Sequence, residues 1–315
     1  MLVALSVITF LLFYALPRDP ARVVCGTHCT PEALQSIRVD LGLDLPIYEQ
    51  YRNWISTIFM GKDISLGPVA IRCGFPCFGY SQDRGAMVST LIAEVMPVTF
   101  FLALGAFILW MIVGVTTGIL AARFKGSIFD RSVMVTTLVG FSLPSFFIGL
   151  SLMIFVVVYW HLWPYPDYRP PTEDLGKFFS AMFLPWITLT ILYAAYYTRL
   201  TRSQMLDTMN EDFIRTARAK GLPEKVVVRK HAFRAGLTPI VTSAGLDFAG
   251  LLGGAIITER IFGLTGLGSV AITAVNRLDL QVLVAITLLG AVFVVVANLV
   301  VDILYALIDP RVRIR

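Results

Sequence analysis

Long apolar runs alternate with polar stretches along the chain. Six runs stand out, at residues 2–17, 97–122, 132–160, 182–199, 237–258 and 282–308. Each comes close to the ~20 residues that a helix needs to cross ~30 Å of hydrocarbon, and a helix satisfies its own backbone hydrogen bonds there. The pattern therefore predicts an all-α membrane protein with six transmembrane helices.

Two of these runs need a closer look. Residues 2–17 are short enough for a signal peptide, but no Lys or Arg precedes them and no pattern of small residues for cleavage follows. We therefore interpret them as a retained first helix. The fifth run is the least apolar and carries Asp247, a charge predicted near mid-membrane, where ionisable groups are costly and often functional. We expect Asp247 to face a water-filled cavity or to bond a neighbouring helix; the alternative is that it lines the pathway, with a role toward substrate or protons.

The composition agrees with a membrane protein. Hydrophobic residues make up 57% of the 315 residues and charged residues only 15%, whereas soluble domains have about 45–50% and about 25%. The net charge of +5 could suit a nucleic acid, but no segment mixes basic and aromatic residues as nucleic-acid-binding segments do. We expect a lipid membrane, and no nucleic acid, as the surroundings of this chain.

The distribution of Lys and Arg predicts the orientation. The polar segments 123–131, 199–236 and 309–315 hold 15 of the 26 basic residues and 6 of the 21 acidic ones. The remaining polar segments hold 11 basic and 13 acidic residues over a greater length. Because cytoplasmic loops are enriched in Lys and Arg, the first set is predicted to be cytoplasmic. Both termini of this multi-pass chain in the cell membrane would then lie in the cytoplasm.

This topology divides the chain into three parts. Residues 1–17 are the first transmembrane helix, and residues 18–95 form a large extracytoplasmic loop between helices 1 and 2. Within this loop a helix is predicted after Thr30, which can act as its N-cap, with Pro31 at the first helical position. Residues 96–315 form the five-helix core, with a cytoplasmic loop at 200–236 between helices 4 and 5.

All four cysteines lie in the predicted extracytoplasmic loop, in the motifs CGTHC (Cys25, Cys29) and CGFPC (Cys73, Cys77). An even number of cysteines on an oxidising face is typical of disulfide bonds. We expect two disulfides, and three pairings are open. A metal site that uses His28 and free thiols are the alternatives.

Sequence motifs for catalysis are missing from these 315 residues. They contain no GxxxxGK[ST], HExxH or GxSxG, and the three histidines belong to different segments. We therefore expect that the chain is not itself an enzyme and holds no nucleotide, cofactor or metal. The pairs Gly114 with Gly118 and Gly250 with Gly254 have the spacing of close helix packing in membranes.

The cytoplasmic stretch 210–239 is polar and basic, and is interrupted by Gly221 and Pro223. Asn210 is predicted to cap a short helix that ends at Gly221, and a second helix is predicted from Pro223 to Gly236. Such short helices are unstable alone in water. The first helix must therefore dock on the membrane surface or on a protein partner, and the small residues Ala217, Ala219 and Gly221 allow a close approach.

The stretch RSQMLDTMNEDFIRTARAKGLPEKVVVRKHAFRAGLTPIVT resembles the coupling loop of permeases of ATP-binding-cassette importers. It is most similar to the dipeptide, oligopeptide and nickel branch, first-permease type. The family pattern Glu-Ala-Ala, three residues, Gly falls on Arg215, Thr216, Ala217 and Gly221. The blocks LGLDLPIYEQYRNWI, GFSLPSFFIGL, GLLGGAIITERIFGLTGLG and NLVVDILYALIDPRVR extend the resemblance over nearly the whole chain. Thr265 replaces a usual proline, and residues 62–80 are atypical.

The resemblance implies a complete machine. This chain would be one permease subunit, forming half of the pathway with a second homologous permease. Two cytoplasmic ATPase subunits would bind ATP and Mg, and an extracytoplasmic binding protein would deliver the substrate. Short peptides are the implied substrate, with nickel, glutathione or haem as alternatives. The implied ATPase-coupling residues are Phe213, Ile214, Ala217, Ala219, Gly221 and Leu222.

A different class of protein has to be weighed against this one. A self-contained secondary transporter or channel would show internal repeats or several intramembrane ionisable residues. The sequence has no evident repeat, and Asp247 is the one charge near the middle of a predicted span. We therefore favour the importer permease over a secondary transporter or channel.

Overall fold

The computed structural model describes residues 2–15, 21, 30–66, 69–81 and 83–308. Helices dominate these residues. In chain order they are α1 (Leu2–Phe10), α2 (Pro31–Leu41), α3 (Ile47–Met60), α4 (Val88–Arg123), α5 (Ile128–Ser142), α6 (Ser145–Tyr159), α7 (Leu175–Met209), α8 (Asp212–Ala219), α9 (Glu224–Leu252), α10 (Ile256–Ile261), α11 (Leu267–Arg277) and α12 (Leu280–Ile308). The backbone is π-helical at Leu11–Ala15, Met153–Tyr159 and Val227–Ala232.

Within the described residues, four helices are long and apolar enough to cross a membrane, namely α4, α7, α9 and α12. The bent pair α5 and α6 brings the number to five if the pair counts as one span, and α1 is a shorter apolar helix. The prediction of a mostly helical membrane protein is therefore confirmed. The number of six transmembrane helices stays a prediction.

The third predicted span, 132–160, is not one straight helix. Its two halves, α5 and α6, meet at an angle of 96°. Pro144 precedes α6, and Leu143 before it has an extended backbone with φ −85° and ψ 128°. Proline disfavours a helical conformation in the residue before it, so Pro144 favours a break between the two helices at Leu143.

The chain divides into two compact units. The first unit comprises Met1–Thr99, Gly253–Ile256 and Thr265–Val295. It includes two antiparallel pairs that the all-α prediction missed: β1 (Lys62–Leu66) with β2 (Val69–Cys73), and β3 (Tyr80–Ser81) with β4 (Ala86–Met87). Helix α2 begins at Pro31, as predicted. The predicted loop 18–95 thus contains helices, strands and the first turns of α4.

Helices far apart in sequence form the core of the first unit. Helices α4, α11 and α12 contribute the buried residues Val88, Ile92, Leu267, Ala274, Val282, Ala285 and Ile286. Polar contacts add to this packing: the Leu267 N–H donates to Thr99 Oγ1 at 2.8 Å, and the Ser81 hydroxyl donates to Asp279. A second apolar group joins α1 and α3 to α12 through Phe10, Tyr51, Trp54 and Val284.

The second unit comprises Phe100–Leu252, Ile257–Leu264 and Val296–Arg315. Helices α4 and α7 approach each other closely within it. A methyl group at Gly114 would lie 2.7 Å from Cβ of Tyr197, and one at Gly118 would lie 2.6 Å from Cβ of Thr201. The predicted close packing at Gly114 and Gly118 is therefore confirmed, because only glycine fits at these two positions.

The same prediction is wrong for Gly250. No described atom of a neighbouring element lies within 4 Å of a methyl group placed on Gly250. Gly254 follows α9 with φ +120°, and a methyl group there would lie 2.7 Å from the backbone of Gly268 in α11, so this glycine does allow a close approach. The close contact of α9 occurs instead at Gly245, where a methyl group would overlap the side chain of Val301 on α12. Spacing alone could not identify which glycines face a neighbouring helix.

Candidate functional site

The candidate site is the short helix α8 and the turns on either side of it. Helix α7 ends at Met209, and the Asn210 side chain donates to the Leu206 carbonyl at 3.0 Å. Asn210 therefore caps the end of α7. The prediction that it caps the start of α8 is wrong, since Glu211 occupies that position. Asp212 lies in the first turn of α8, where a negative charge favours the helix dipole.

Gly221 ends α8, as predicted. Its backbone has φ +77°, a left-handed conformation that glycine adopts without strain. The Gly221 N–H donates to the Arg218 carbonyl at 2.9 Å and the Leu222 N–H to the Ala217 carbonyl at 3.4 Å. These two hydrogen bonds form a Schellman motif, which satisfies carbonyls left free at a helix end.

An ion pair spans the corner between α8 and α9. The Arg218 guanidinium donates to both carboxylate oxygens of Glu224, at 3.1 and 2.7 Å. These hydrogen bonds raise the pKa of Arg218, whose guanidinium is charged at any physiological pH. Both side chains are substantially exposed, and exposed pairs contribute only about 0–1 kcal/mol. The pair therefore orients the corner more than it stabilises the protein.

One side of α8 is buried against its own chain. Ile214 is fully buried and Ala217 is 7% exposed. They belong to a group that we call the α8 cluster, formed by Ala122 of α4, Met205 of α7, Ile214 and Ala217 of α8, and Val227, Val228 and Ala232 of α9. Both residues are thus covered by α4, α7 and α9 of their own chain, and their role in coupling to an ATPase stays a prediction.

The other predicted coupling residues are accessible. Phe213 is 46% exposed and Leu222 is 38% exposed, and Ala219 and Gly221 are also exposed. Phe213 on α8 and Leu222 just after it leave apolar surface without cover among the described residues of this chain. We call Phe213, Ala219, Gly221 and Leu222 the outer residues of α8.

A buried ion pair lies near this site, and sequence reasoning missed it. Arg202 of α7 donates to both carboxylate oxygens of Asp130 of α5, at 2.6 and 2.8 Å, and Asp130 is 3% exposed. The Gly126 N–H also donates to Asp130, at 2.9 Å. The only local signal was Ser127 three residues before Asp130, the spacing of a helix-capping pair. That spacing could not reveal Arg202 as the partner.

Asp247 has a partner on a neighbouring helix. The hydroxyl of Tyr197 on α7 donates to Asp247 Oδ2 at 2.6 Å, and Tyr197 is fully buried. Aromatic rings lie around this pair, with Trp110 stacked on Tyr193 at 4.4 Å and Phe107 5.1 Å from Phe248. Of the two expectations for Asp247, this contact corresponds to bonding between helices.

The second cysteine motif forms a disulfide bond between Cys73 and Cys77. Both residues are 2% exposed, and the Cys77 N–H donates to the Ile58 carbonyl at 3.0 Å, which ties the motif to α3. This is pairing within one motif. Cys25, Cys29 and His28 lie outside the described residues, so the first predicted disulfide and its metal-binding alternative remain predictions.

Comparison of this chain with known proteins identifies the family and the relatives that it resembles. Residues 114–314 match the family described as binding-protein-dependent transport system inner membrane component, and residues 1–103 match the N-terminal part of such membrane components. The dipeptide transport system permease protein of Escherichia coli (strain K12) is 35% identical over 336 aligned positions, covering 99% of this chain and 94% of that protein.

Two further likenesses agree. A Brucella abortus (strain 2308) protein with a provisional name as a peptide transport system permease protein is 38% identical over 312 residues, covering 98% of this chain and 93% of that protein. An inward-facing structure of the MetNI methionine ABC transporter matches with a TM-score of 0.56 and 16% identity, covering 70% of this chain and 97% of that one. The second likeness concerns the fold alone.

Proposed function

The chain belongs to the family of binding-protein-dependent transport system inner membrane components, and we propose that it is a permease subunit of an importer for short peptides. Relatives covered over more than nine-tenths of their length carry peptide or dipeptide transport names. These names favour peptides over nickel, glutathione or haem. ATP hydrolysis would belong to partner subunits and not to this chain.

We infer that the complex also contains a second homologous permease, two ATPase subunits that bind ATP and Mg, and an extracytoplasmic binding protein. The excess of Lys and Arg in residues 123–131, 199–236 and 309–315 supports an orientation with both termini, and α8 with them, in the cytoplasm. The segment before α4, with the Cys73–Cys77 disulfide, would then lie on the outer side.

The observation that carries the proposal for coupling is the α8 cluster. Ile214 and Ala217 pack in one group with residues from the cytoplasmic ends proposed for α4, α7 and α9. Densely packed interiors transmit a displacement instead of absorbing it. A force on the outer residues of α8 would therefore move the ends of three membrane helices together, as a rigid-body transition requires.

The peptide substrate can be tested in cells of the source organism that lack this chain. We expect deletion to abolish uptake of a radiolabelled dipeptide, and the restored chain to recover it. Excess unlabelled di- and tripeptides should compete, whereas nickel ions and haem should not. Loss of nickel, haem or glutathione uptake with normal dipeptide uptake would contradict the proposed substrate class, and the vector without the chain is the control.

A further inference from the structure

The turn between α4 and α5 exposes large apolar side chains. Ile128 is 85% exposed, Phe124 49% and Phe129 43%. The uncharged run of α4 at residues 97–122 ends at Ala122, and Arg123 is the first charged residue after it. The turn therefore lies where a membrane-spanning helix leaves the hydrocarbon, at the level of lipid headgroups.

This turn is held in a fixed shape. Gly126 has φ +80°, and its N–H donates to Asp130 at 2.9 Å. The Ser127 Oγ accepts from the Asp130 N–H at 3.2 Å and caps α5. Asp130 is anchored in turn by Arg202 of α7. The exposed side chains are thus presented by an ordered turn and held in place by α7.

The charge of the turn is strongly positive. Arg123, Lys125 and Arg131 are all exposed. The only acidic residue between positions 120 and 135 is Asp130, whose carboxylate is buried and paired with Arg202. The Arg123 guanidinium lies over the Phe124 ring, 5.4 Å from its centroid. Three cations beside apolar side chains suit a ligand with an anionic head and an apolar tail.

A groove runs beside the turn. It has a volume of about 370 Å³ and is lined by Leu120, Phe124, Ser127 and Phe129. Apolar exposure continues from it along both helices, at Ile112 and Val113 of α4 and at Val135 and Leu138 of α5. Helix α4 is long and apolar enough to cross a membrane, and α5 does so together with α6 if that bent pair counts as one span. The groove therefore adjoins apolar surface that would face lipid acyl chains.

We propose that this turn is a binding site for an anionic phospholipid. The phosphate of the headgroup would contact Arg123, Lys125 and Arg131, and one acyl chain would occupy the groove at Leu120 and Phe129. Basic residues at the membrane surface attract anionic lipids, and an adjacent apolar groove adds the burial of an acyl chain. The proposal does not depend on which substrate the permease carries.

Native mass spectrometry of the full chain, purified with any co-purifying subunits, can test this site. The probes are phosphatidylglycerol, phosphatidylcholine with the same acyl chains, and glycerol 3-phosphate. We expect retention of phosphatidylglycerol over phosphatidylcholine, and no competition by glycerol 3-phosphate. The Lys125→Gln, Arg131→Gln double variant should lower retention about tenfold, since each cation near an anionic lipid contributes a fewfold gain in affinity. Phe129→Ser should also lower it.

The matched control removes the same charge elsewhere. Arg169 lies before α7 and Lys177 in its first turn, and both lie near Asp167. The double variant Arg169→Gln, Lys177→Gln should leave lipid retention unchanged. Thermal unfolding in detergent checks that each variant is folded. Equal retention of phosphatidylcholine, full competition by glycerol 3-phosphate, or equal losses in the control variant would each overturn the proposal.

Discussion

Gly221 shows how a single backbone conformation sets the end of an element. With φ +77° and both hydrogen bonds of the Schellman motif formed, it lets the chain leave α8 and reach Pro223 within two residues. No described atom lies within 4 Å of a methyl group at this position. Any effect of a small side chain at Gly221 therefore arises from backbone strain and not from a steric clash in this chain.

Replacement of Gly221 tests this interpretation. Gly221→Ala should destabilise the α8 corner by about 1 kcal/mol, because a Cβ disfavours the left-handed region. Gly221→Asn should lose less, since asparagine tolerates that region. Protection of the 212–226 amides in hydrogen exchange is the measurement. Gly250→Ala, in an open helical position, is the control and should leave the protection of these amides unchanged. Equal protection in Gly221→Ala and wild type would contradict the strain.

At the scale of the element, α8 has two different sides. Ile214 and Ala217 are buried in the α8 cluster, whereas Phe213 and Leu222 are exposed. An eight-residue helix is unstable alone, so its own chain has to hold the buried side in place. The buried side therefore contributes to the stability of the permease, and the exposed side is the one that we propose to contact a partner.

Serine substitutions can separate these two contributions. Leu222→Ser and Phe213→Ser should reduce co-purification of the ATPase subunits about tenfold, as expected when an apolar contact at an interface is lost, without lowering the melting temperature of the chain. Ile214→Ser should lower the melting temperature, because a buried apolar side chain is lost.

Leu175→Ser provides the matched control. Leu175 is 61% exposed at the opposite end of α7 from α8, so this variant should retain the ATPase subunits. Wild-type levels of ATPase subunits with both Phe213→Ser and Leu222→Ser would contradict the assignment of these residues to the partner contact.

At the scale of the whole molecule, the uneven distribution of Lys and Arg predicts on which side of the membrane each polar segment lies. The segment that contains α8 and the segment between α6 and α7 are predicted to face opposite sides, because α7 separates them. Lys225 follows α8, and Glu173 precedes α7; both are exposed.

Site-specific labelling tests the orientation. In sealed inside-out vesicles, a membrane-impermeant maleimide should label Lys225→Cys and not Glu173→Cys, and in intact spheroplasts the reverse should hold. The parent chain, with its four native cysteines, is labelled in parallel to give the background. Labelling of both positions from the same side would refute the proposed topology.

Features set by local chemistry were predictable from the sequence. Gly221 as the end of α8 follows from its tolerance of positive φ, and α2 begins at Pro31 because proline suits the first helical turn. Gly114 and Gly118 were found because close helix packing repeats every four residues. The apolar runs predicted the long helices because the hydropathy of about 20 consecutive residues decides whether a helix can span a membrane.

Features set by tertiary contacts were not predictable. The spacing of apolar residues along α8 could not show whether Ile214 contacts its own chain or a partner, because both kinds of contact surface are apolar. Asp130 and Arg202 are 72 positions apart, and no local pattern joins them. Strands β1 and β2 lie in the atypical segment 62–80, where neither the resemblance nor hydropathy gives a signal.

The α8 cluster also constrains how this protein can change over evolutionary time. The cluster combines residues from four helices, namely Ala122, Met205, Ile214 and Val228. Because they fill one volume, a larger side chain at one of them is best tolerated when another becomes smaller. Substitutions at these positions should therefore covary with one another among relatives of this protein. Changes at Phe213 or Leu222 would instead be compensated in the gene of a different subunit.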